Sequence, residues 1–247
     1  MQQTTIVVPC YNEASRLTPD RFVACVLAEP ALSFVFVDDG SSDATFDLLT
    51  RTVERAPNQL SALRLEQNVG KAEAVRQGVL RGFDSGAELI GFWDADLATP
   101  LYNIAEFARI LEQPGPQLAM GSRVRLLGRR VERHSFRHYA GRGFATLAAL
   151  ALRLAVYDTQ CGAKLFRAND TFRELFSQPF ELGWSFDVEM LARLVRSCRR
   201  NGVDPTTQIV EVPLREWIDA PGSKLRASHA PRIAWEMMRL IRIARQP

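Results

Sequence analysis

The sequence predicts an α/β fold, with a mostly parallel central sheet and helices on both of its faces. Short β-branched or aromatic runs alternate with longer helical patterns across the first hundred residues, which is the rhythm of a parallel sheet. The run Phe34-Val35-Phe36-Val37 is apolar at every position, as a central strand covered by helices requires. Three of the strand runs end in polar, acid-rich loops, and ligands of open α/β sheets gather beyond the carboxyl ends of the strands. A chain of 247 residues, 47% of them hydrophobic, can bury a sizeable core and fits one such domain better than two independent ones.

The elements follow in order. Ile6-Val7-Val8 leads into Pro9-Cys10-Tyr11-Asn12-Glu13, and Phe34 to Val37 leads into Asp38-Asp39-Gly40-Ser41-Ser42-Asp43. A third strand, Leu63-Arg64-Leu65, precedes Asn68-Val69-Gly70-Lys71 and a helix beginning near Ala72. The fourth, Leu89-Ile90-Gly91-Phe92-Trp93, ends at Asp94-Ala95-Asp96, and Pro100 prevents its continuation. Gln113-Pro114-Gly115-Pro116 is a turn before a short strand ending at Gly121-Ser122-Arg123. The second half changes character. An arginine-rich link and an apolar helix are followed by Asp158-Thr159-Gln160-Cys161-Gly162 and a helix entered through Gly183-Trp184-Ser185-Phe186-Asp187.

The formal charge of +3 is small but uneven: Arg123, Arg125, Arg129, Arg130, Arg133, Arg137 and Arg142 crowd one stretch, and Arg226 to Arg245 carry another. Such patches suit phosphate ligands or an anionic membrane surface, and also the solvated faces of helices. Cys10, Cys25, Cys161 and Cys198 are scattered without a C-x-x-C pair, which argues against a zinc site or a disulfide framework. The chain runs from Met1-Gln2-Gln3 directly into Thr4-Thr5-Ile6-Val7-Val8 without a signal-peptide pattern, so cytoplasmic residence is expected. The most apolar stretch, Phe144 to Val156, is broken by Arg153 and falls short of the roughly 20 residues a spanning helix needs.

Asp94 and Asp96 are separated by one small residue, so on extended backbone both side chains leave the same side of the strand. Together they can hold one divalent cation. Magnesium and manganese prefer oxygen ligands, and a site with few protein carboxylates leaves positions for substrate phosphates. An Asp-x-Asp triplet also occurs as a cap or a solvated turn, but the apolar run before this one places it at the ligand edge. Turn chemistry accounts for part of the second loop, where Gly40 supports a turn and Ser42 or Asp43 caps the next helix. It leaves the adjacent acids Asp38 and Asp39 unaccounted for. An Asp there can accept hydrogen bonds from a nucleobase or ribose, while Asn68-Val69-Gly70-Lys71 supplies a close backbone approach and a cation at a helix start. A nucleoside diphosphate fits these loops.

With these motifs in their order, continuing through Gly121-Ser122-Arg123, Asp158 to Phe166, Trp184 to Glu189 and Gly222-Ser223-Lys224-Leu225, the chain resembles the family-two inverting glycosyltransferases of the GT-A fold. The resemblance is closest to polyprenyl-phosphate (dolichyl-phosphate) β-glucosyltransferases and covers nearly the whole chain. It implies that Pro9, Tyr11, Glu13, Asp38 and Asp39 face the nucleotide, that Lys71 lies beside it, and that Asp94 and Asp96 straddle ribose, diphosphate and a Mg2+ or Mn2+ ion, with Asp96 the first metal ligand. In the related mannosyl-phosphate synthases a glutamine two places after the motif joins the metal shell. This chain has Ala98 there, so that ligand must come from water, Thr99 or elsewhere. The same comparison places Arg123 and Arg137 on the acceptor phosphate, although a serine of that motif is Gly141 here.

The implied reaction moves a hexose, glucose first, from a nucleoside-diphosphate sugar, UDP favoured, to a polyprenyl phosphate. A phosphate acceptor is largely ionised near neutral pH and needs little help from a base. A hydroxyl acceptor needs one, and Asp187 is the first candidate with Asp158 the alternative; capping at Asp187 and a turn at Asp158 are the competing roles. The implied layout is a GT-A domain over residues 1–225, with a nucleotide-sugar half at 1–125 and an acceptor half at 126–225. A basic amphipathic helix follows at 226–247. In that helix Ile233, Met237, Leu240, Ile241 and Ala244 recur at helical spacing with Arg232, Arg239 and Arg242 on another sector; it lies on a membrane surface, making the protein peripheral, or docks on its own domain. The rival readings are transfer to a soluble hydroxyl acceptor, a nucleotidyltransferase, and a non-catalytic sugar-nucleotide-binding module. Nucleic acid is not an expected partner, because the arginines lack a reader motif and the acidic loops oppose a polyanion.

Overall fold

The computed structural model describes residues 1–132, 135–218, 235–236, 238–240 and 242–243, without the side chains of 135–142. The strands are β1 (Thr4–Cys10), β2 (Leu32–Asp38), β3 (Leu60–Arg64), β4 (Leu89–Trp93), β5 (Leu118–Ser122), β6 (Arg130–Glu132), β7 (Ala163–Arg167), β8 (Ile209–Pro213) and β9 (Glu216–Ile218). The helices are α1 (Pro19–Ala28), α2 (Thr45–Val53), α3 (Lys71–Asp84), α4 (Asn103–Glu112), α5 (Ser135–Leu152), α6 (Asp170–Ser177) and α7 (Phe186–Arg200). Seven strands form one sheet in the order β3-β2-β1-β4-β7-β5-β8, and β6 pairs with β9 in a small second sheet. All pairings in the large sheet are parallel except those of β7, which runs antiparallel to both β4 and β5. The third strand lies at Leu60–Arg64, earlier than the Leu63-Arg64-Leu65 run predicts, because Phe34 to Asp38 draw Leu60 to Arg64 into register.

The period of two along the strands sorts the core onto both faces. Ile6, Val8, Phe34 and Phe36 share one apolar cluster with Phe22 and Val26 of α1, Leu49 of α2 and Phe107 of α4. Phe22 stands edge-on to Phe34 and Phe36 at 5.2 and 5.1 Å between ring centroids; burial of each such ring contributes about 2 kcal/mol. Val7, Val35 and Val37 face the other way, onto Ala74, Val75 and Val79 of α3 and onto residues of α6 and α7. This two-sided burial is why the Phe34 to Val37 run has no polar position.

The apolar helix is α5, and it ends at Leu152, before Arg153, which adopts φ 53°. Phe144, Ala145, Ala148 and Leu152 are buried while Leu147 and Leu150 are exposed. The C-terminal positions that are described are helical, with Leu240 and Ile243 in the core and Trp235 and Met238 exposed. Leu240 therefore docks on its own domain. Ile233, Met237, Ile241, Ala244, Arg232, the Gly222 to Leu225 motif and the side chain of Arg137 lie outside the described residues. Among the described residues no helix is long and apolar enough to cross a membrane.

Candidate active site

The carboxyl ends of β1, β2 and β4 meet at one edge because these strands are neighbours running in one direction. The loop after β1 is laced to the loop after β2: Asn12 N–H donates to Ser41 Oγ at 3.0 Å, Ser42 N–H to Asn12 Oδ1 at 2.9 Å, and Glu13 N–H to Thr45 Oγ1 at 2.8 Å. Asp43 accepts from Thr45 N–H at 3.0 Å and from Ala14 N–H at 3.3 Å, so Ser41, Ser42 and Asp43 hold the loops together. Gly40, at φ 64°, permits this approach, since a Cβ there would lie 2.4 Å from the backbone of Gln67.

Asp39 fastens the third loop to the second. Its Oδ1 accepts from Val69 N–H at 2.8 Å and its Oδ2 from Gly70 N–H at 2.9 Å. Burial raises the pKa of its carboxyl above the ordinary value; the Val69 and Gly70 amides act in the opposite sense, and the charge of Asp38 adds to the rise. Lys71 opens α3 directly after this loop, and its Nζ lies 2.5 Å from Asp94 Oδ1. Partial desolvation works against the Lys71 charge, but Asp94 and Asp187 outweigh it and hold the ammonium above its ordinary range.

The acidic triplet is a turn, not an extension of the strand. Leu97 N–H donates to Asp94 O at 3.2 Å, and Leu97 itself has φ 52°. The extended-backbone argument for two carboxylates on one side is thereby corrected, because the chain must bend here for Trp93 Nε1–H to reach Thr99 O at 2.8 Å. Both carboxylates nevertheless reach the same cleft. Asp94 rests against Gly162, where a Cβ would fall 1.8 Å from Asp94 Oδ2.

Pro9, Cys10, Tyr11, Glu13, Asp39, Asn68, Gly70, Lys71, Asp94, Ala95 and Asp96 line one cleft of about 300 Å³. Of the residues expected at a nucleotide sugar, only Asp38 is not among them. It is fully buried below the loops, where its Oδ1 accepts from Ser41 N–H at 3.2 Å and its Oδ2 lies 3.4 Å from Arg64 Nε. Glu13 lines the cleft while held by Arg16 Nε at 2.9 Å. Cys10 is buried and its thiol is pushed far above the usual range by that burial and by Glu13 and Asp38, so it offers no thiolate nucleophile.

Asp94 and Asp96 fit a hard divalent cation in their chemistry. They are oxygen donors beside an open cleft, and burial together with the neighbouring Asp94 charge raises the Asp96 pKa, a repulsion that a cation offsets. Among the described residues no group of three or more His, Cys, Asp or Glu side chains stands ready for a metal. Further ligands would have to come from substrate or water.

The acceptor-side residues are engaged with one another. Arg123 and Asp158 form a two-pronged ion pair, Nε to Oδ2 at 2.6 Å and Nη2 to Oδ1 at 2.8 Å, and Asp158 also accepts from Arg123 N–H at 3.1 Å and Gln160 N–H at 3.2 Å. Both Asp158 oxygens are occupied, which suits a structural anchor better than a base. Arg123 also lies 5.3 Å from the Trp217 ring of β9, and β9 reaches the acidic turn through Ile218 N–H to Ala98 O at 3.3 Å. Asp187 sits in the first turn of α7, buried, with Oδ1 accepting from Lys164 Nζ at 2.8 Å.

Three contributors have no role in the sequence reading. Lys164 is fully buried in β7; Glu211 accepts the backbone N–H of Tyr157 and Asp158 at 2.7 and 2.8 Å; and Glu236 accepts Ser185 N–H at 2.9 Å at the start of α7. A lysine inside the apolar run Ala163-Lys164-Leu165-Phe166 was a usable signal, because a fully buried lysine demands a partner. Glu236 is 51 residues from Ser185, and no local pattern announces it.

The comparisons agree with this arrangement. The family model described as glycosyl transferase family 2 matches residues 5–172. The chain is 32% identical to a dolichyl-phosphate beta-glucosyltransferase of Trichomonas vaginalis, covering 96% of this chain and 70% of that one. It is 31% identical to the human dolichyl-phosphate beta-glucosyltransferase, covering 91% and 70%. Among solved structures, glucosyl-3-phosphoglycerate synthase of Mycobacterium tuberculosis matches with a TM-score of 0.66 at 18% identity, over 100% of this chain and 82% of that one; another crystal structure of that synthase is of its complex with Mn2+, UDP and glucosyl-3-phosphoglycerate. The GT-A fold expected from the motifs is the fold found. With its polar loops gathered on one sheet edge and more than half its length matched, the chain belongs to glycosyl transferase family 2.

Proposed function

We propose that this protein transfers glucose from UDP-glucose to a polyprenyl phosphate, with inversion at the anomeric carbon. The observation that carries the reading is the convergence of Pro9, Tyr11, Glu13, Asp39, Lys71, Asp94 and Asp96 on one cleft, in a chain similar over most of its length to dolichyl-phosphate beta-glucosyltransferases. The loops after β1, β2 and β3 take the nucleotide, and the acidic turn after β4 takes the diphosphate end. A Mg2+ or Mn2+ ion held by Asp94 and Asp96 would supply Lewis-acid neutralisation of the diphosphate charge.

Lys71 supplies positive charge from the protein itself. Its ammonium sits beside Asp94, close enough to turn toward a diphosphate and stabilise the negative charge that develops as the anomeric bond breaks. The acceptor phosphate enters on the side of Arg123, which is fixed by Asp158 and orients it with charge-assisted hydrogen bonds; the family resemblance assigns the same role to Arg137. An ionised phosphate attacks without a base. Asp187 then keeps the charge balance beside Lys71, and it is the group in place to take a proton if a hydroxyl acceptor is used.

A polyprenyl acceptor requires contact with a bilayer surface, so the protein works as a peripheral enzyme on the cytoplasmic face. Release of nucleoside diphosphate from UDP-glucose, against GDP-sugars and with and without Mn2+, tests the donor and metal assignments. Acceptor-stimulated UDP release that is lost on chelation is the expected result. Formation of pyrophosphate from a nucleoside triphosphate, with no UDP release, would replace this reading with nucleotidyl transfer.

A further inference from the structure

Among the described residues, the most heavily buried cation has no part in the chemistry described so far. Lys164 is the second residue of β7, the strand between β4 and β5, and has no exposed surface. Its Nζ donates to Cys161 O at 2.6 Å and to Asp187 Oδ1 at 2.8 Å, and it stands 5.3 Å from the centroid of the Phe92 ring. A lysine ammonium loses its hydration in such a place and is tolerated only against a fixed carboxylate and further acceptors. The pairing spans two elements, since Asp187 belongs to the first turn of α7 and is itself buried.

The two ends of this pair have different neighbours. Cys161 O, the second acceptor of Lys164, belongs to the segment whose next residue, Gly162, supports the Asp94 carboxylate. Asp187 is near enough to the cleft that its charge helps hold Lys71 protonated. One buried ammonium thus ties the helix that carries Asp187 to the segment that seats Asp94. An apolar residue of similar length at 164 would fill the same space in the core, and a buried ion pair is a poor source of stability compared with packed hydrophobic side chains. The ion pair therefore points to the placement of Asp187 rather than to stability.

We propose that Lys164 is a positioning residue for glycosyl transfer, fixing the orientation of the Asp187 carboxylate through the Nζ contact at 2.8 Å. The proposal rests on the reading that Asp187 serves the transfer. Lys164 touches neither donor nor acceptor; it acts through Asp187 and through the Cys161-Gly162 segment.

The test compares Lys164→Gln, which keeps a hydrogen-bond donor for both oxygens but removes the charge, with Lys164→Arg, which keeps the charge but changes the shape. Acceptor-stimulated UDP release from UDP-glucose gives kcat and the KM of the donor, and circular dichroism reports the fold. Lys164→Gln is expected to remain folded and to lose kcat by about tenfold to a hundredfold, with the donor KM within about twofold of the parent; Lys164→Arg recovers part of that loss. Parent-level kcat in Lys164→Gln would overturn the proposal, as would equal losses in the two variants, which would assign Lys164 to packing. Failure of both to fold would assign it to stability and overturn the proposal equally. Asp187→Asn separates this from the underlying reading: if it keeps the parent kcat, the role of Asp187 fails, whereas a loss in Asp187→Asn without one in Lys164→Gln refutes only Lys164.

Discussion

At the scale of single residues, the cleft depends on close placements that small substitutions disturb. Gly162→Ala puts a methyl group where Asp94 Oδ2 now sits, 1.8 Å from the ideal Cβ. The carboxylate must move. Steady-state kinetics should show turnover falling by about tenfold or more, and an unchanged kcat would mean that Asp94 need not sit against residue 162. Asp96→Asn removes one oxygen charge at a partly exposed position and is expected to leave the melting temperature within a few degrees while abolishing divalent-cation-dependent turnover. Unaltered stimulation by Mn2+ would refute the ligand role.

Lys71 gives a pH prediction whose sign follows from its surroundings. Its folded-state pKa is raised above the ordinary 10.5, because Asp94 and Asp187 outweigh partial desolvation. A group raised in this way contributes fully below its unfolded value and loses its contribution only as pH rises through the folded value. Lys71 therefore remains charged throughout the range below about pH 10, and no basic limb in that range belongs to it. Lys71→Met should lower kcat/KM by the same factor at every pH from about 6 to 9. Disappearance of a basic limb in that variant would contradict the assignment.

At the scale of elements, α7 is the helix whose first turn matters most, and its own cap residue leaves it incomplete. Ser185 occupies the N-cap position but makes no capping hydrogen bond with its side chain. Glu236, buried in the C-terminal segment, accepts Ser185 N–H at 2.9 Å, Trp184 N–H at 3.3 Å and the Ser185 hydroxyl. A carboxylate at a helix N-terminus also complements the helix dipole. Glu236→Ala strands these buried donors and should cost about 1–3 kcal/mol in chemical denaturation, with faster amide exchange at Trp184 and Ser185. Unchanged exchange there would show that the C-terminal segment does not secure the helix. The neighbouring elements are tied similarly. Asp39 holds the Val69-Gly70 loop through both carboxylate oxygens, so its position in the cleft comes with a structural duty that an Asp-Asp pair in a sequence does not distinguish from nucleotide contact.

At the scale of the molecule, the parallel half was legible because hydrophobic runs, polar loops and helical periods agree from Thr4 to Trp93. The cleft was legible for the same reason, since neighbouring parallel strands must deliver their end loops to one edge. The reversed β7 was not: Ala163 to Arg167 is a strand pattern in either direction, and its direction follows from the path of the chain around α5. Nor was the bend at Asp94-Ala95-Asp96, which answers to the hydrogen bond of Trp93 to Thr99 across the turn and to the long-range contact of Asp94 with Gly162. Arg123 and Asp158 were both legible as polar site candidates, but their mutual ion pair arises only when β5 lies beside the segment leading into β7. The C-terminal segment was legible as amphipathic, whereas the division of its described residues into a core side with Leu240 and an exposed side with Trp235 depends on the surface they meet.

The central claim is that one cleft joins a nucleotide sugar to a lipid phosphate. Its most direct test supplies UDP-glucose carrying a radiolabel in the sugar, Mn2+ and a polyprenyl phosphate in detergent or vesicles, then partitions the products between water and organic solvent. The account predicts label in the organic phase only when enzyme, cation and lipid phosphate are all present, accompanied by an equal amount of UDP. Label confined to the aqueous phase, with transfer to a water-soluble alcohol instead, would contradict it.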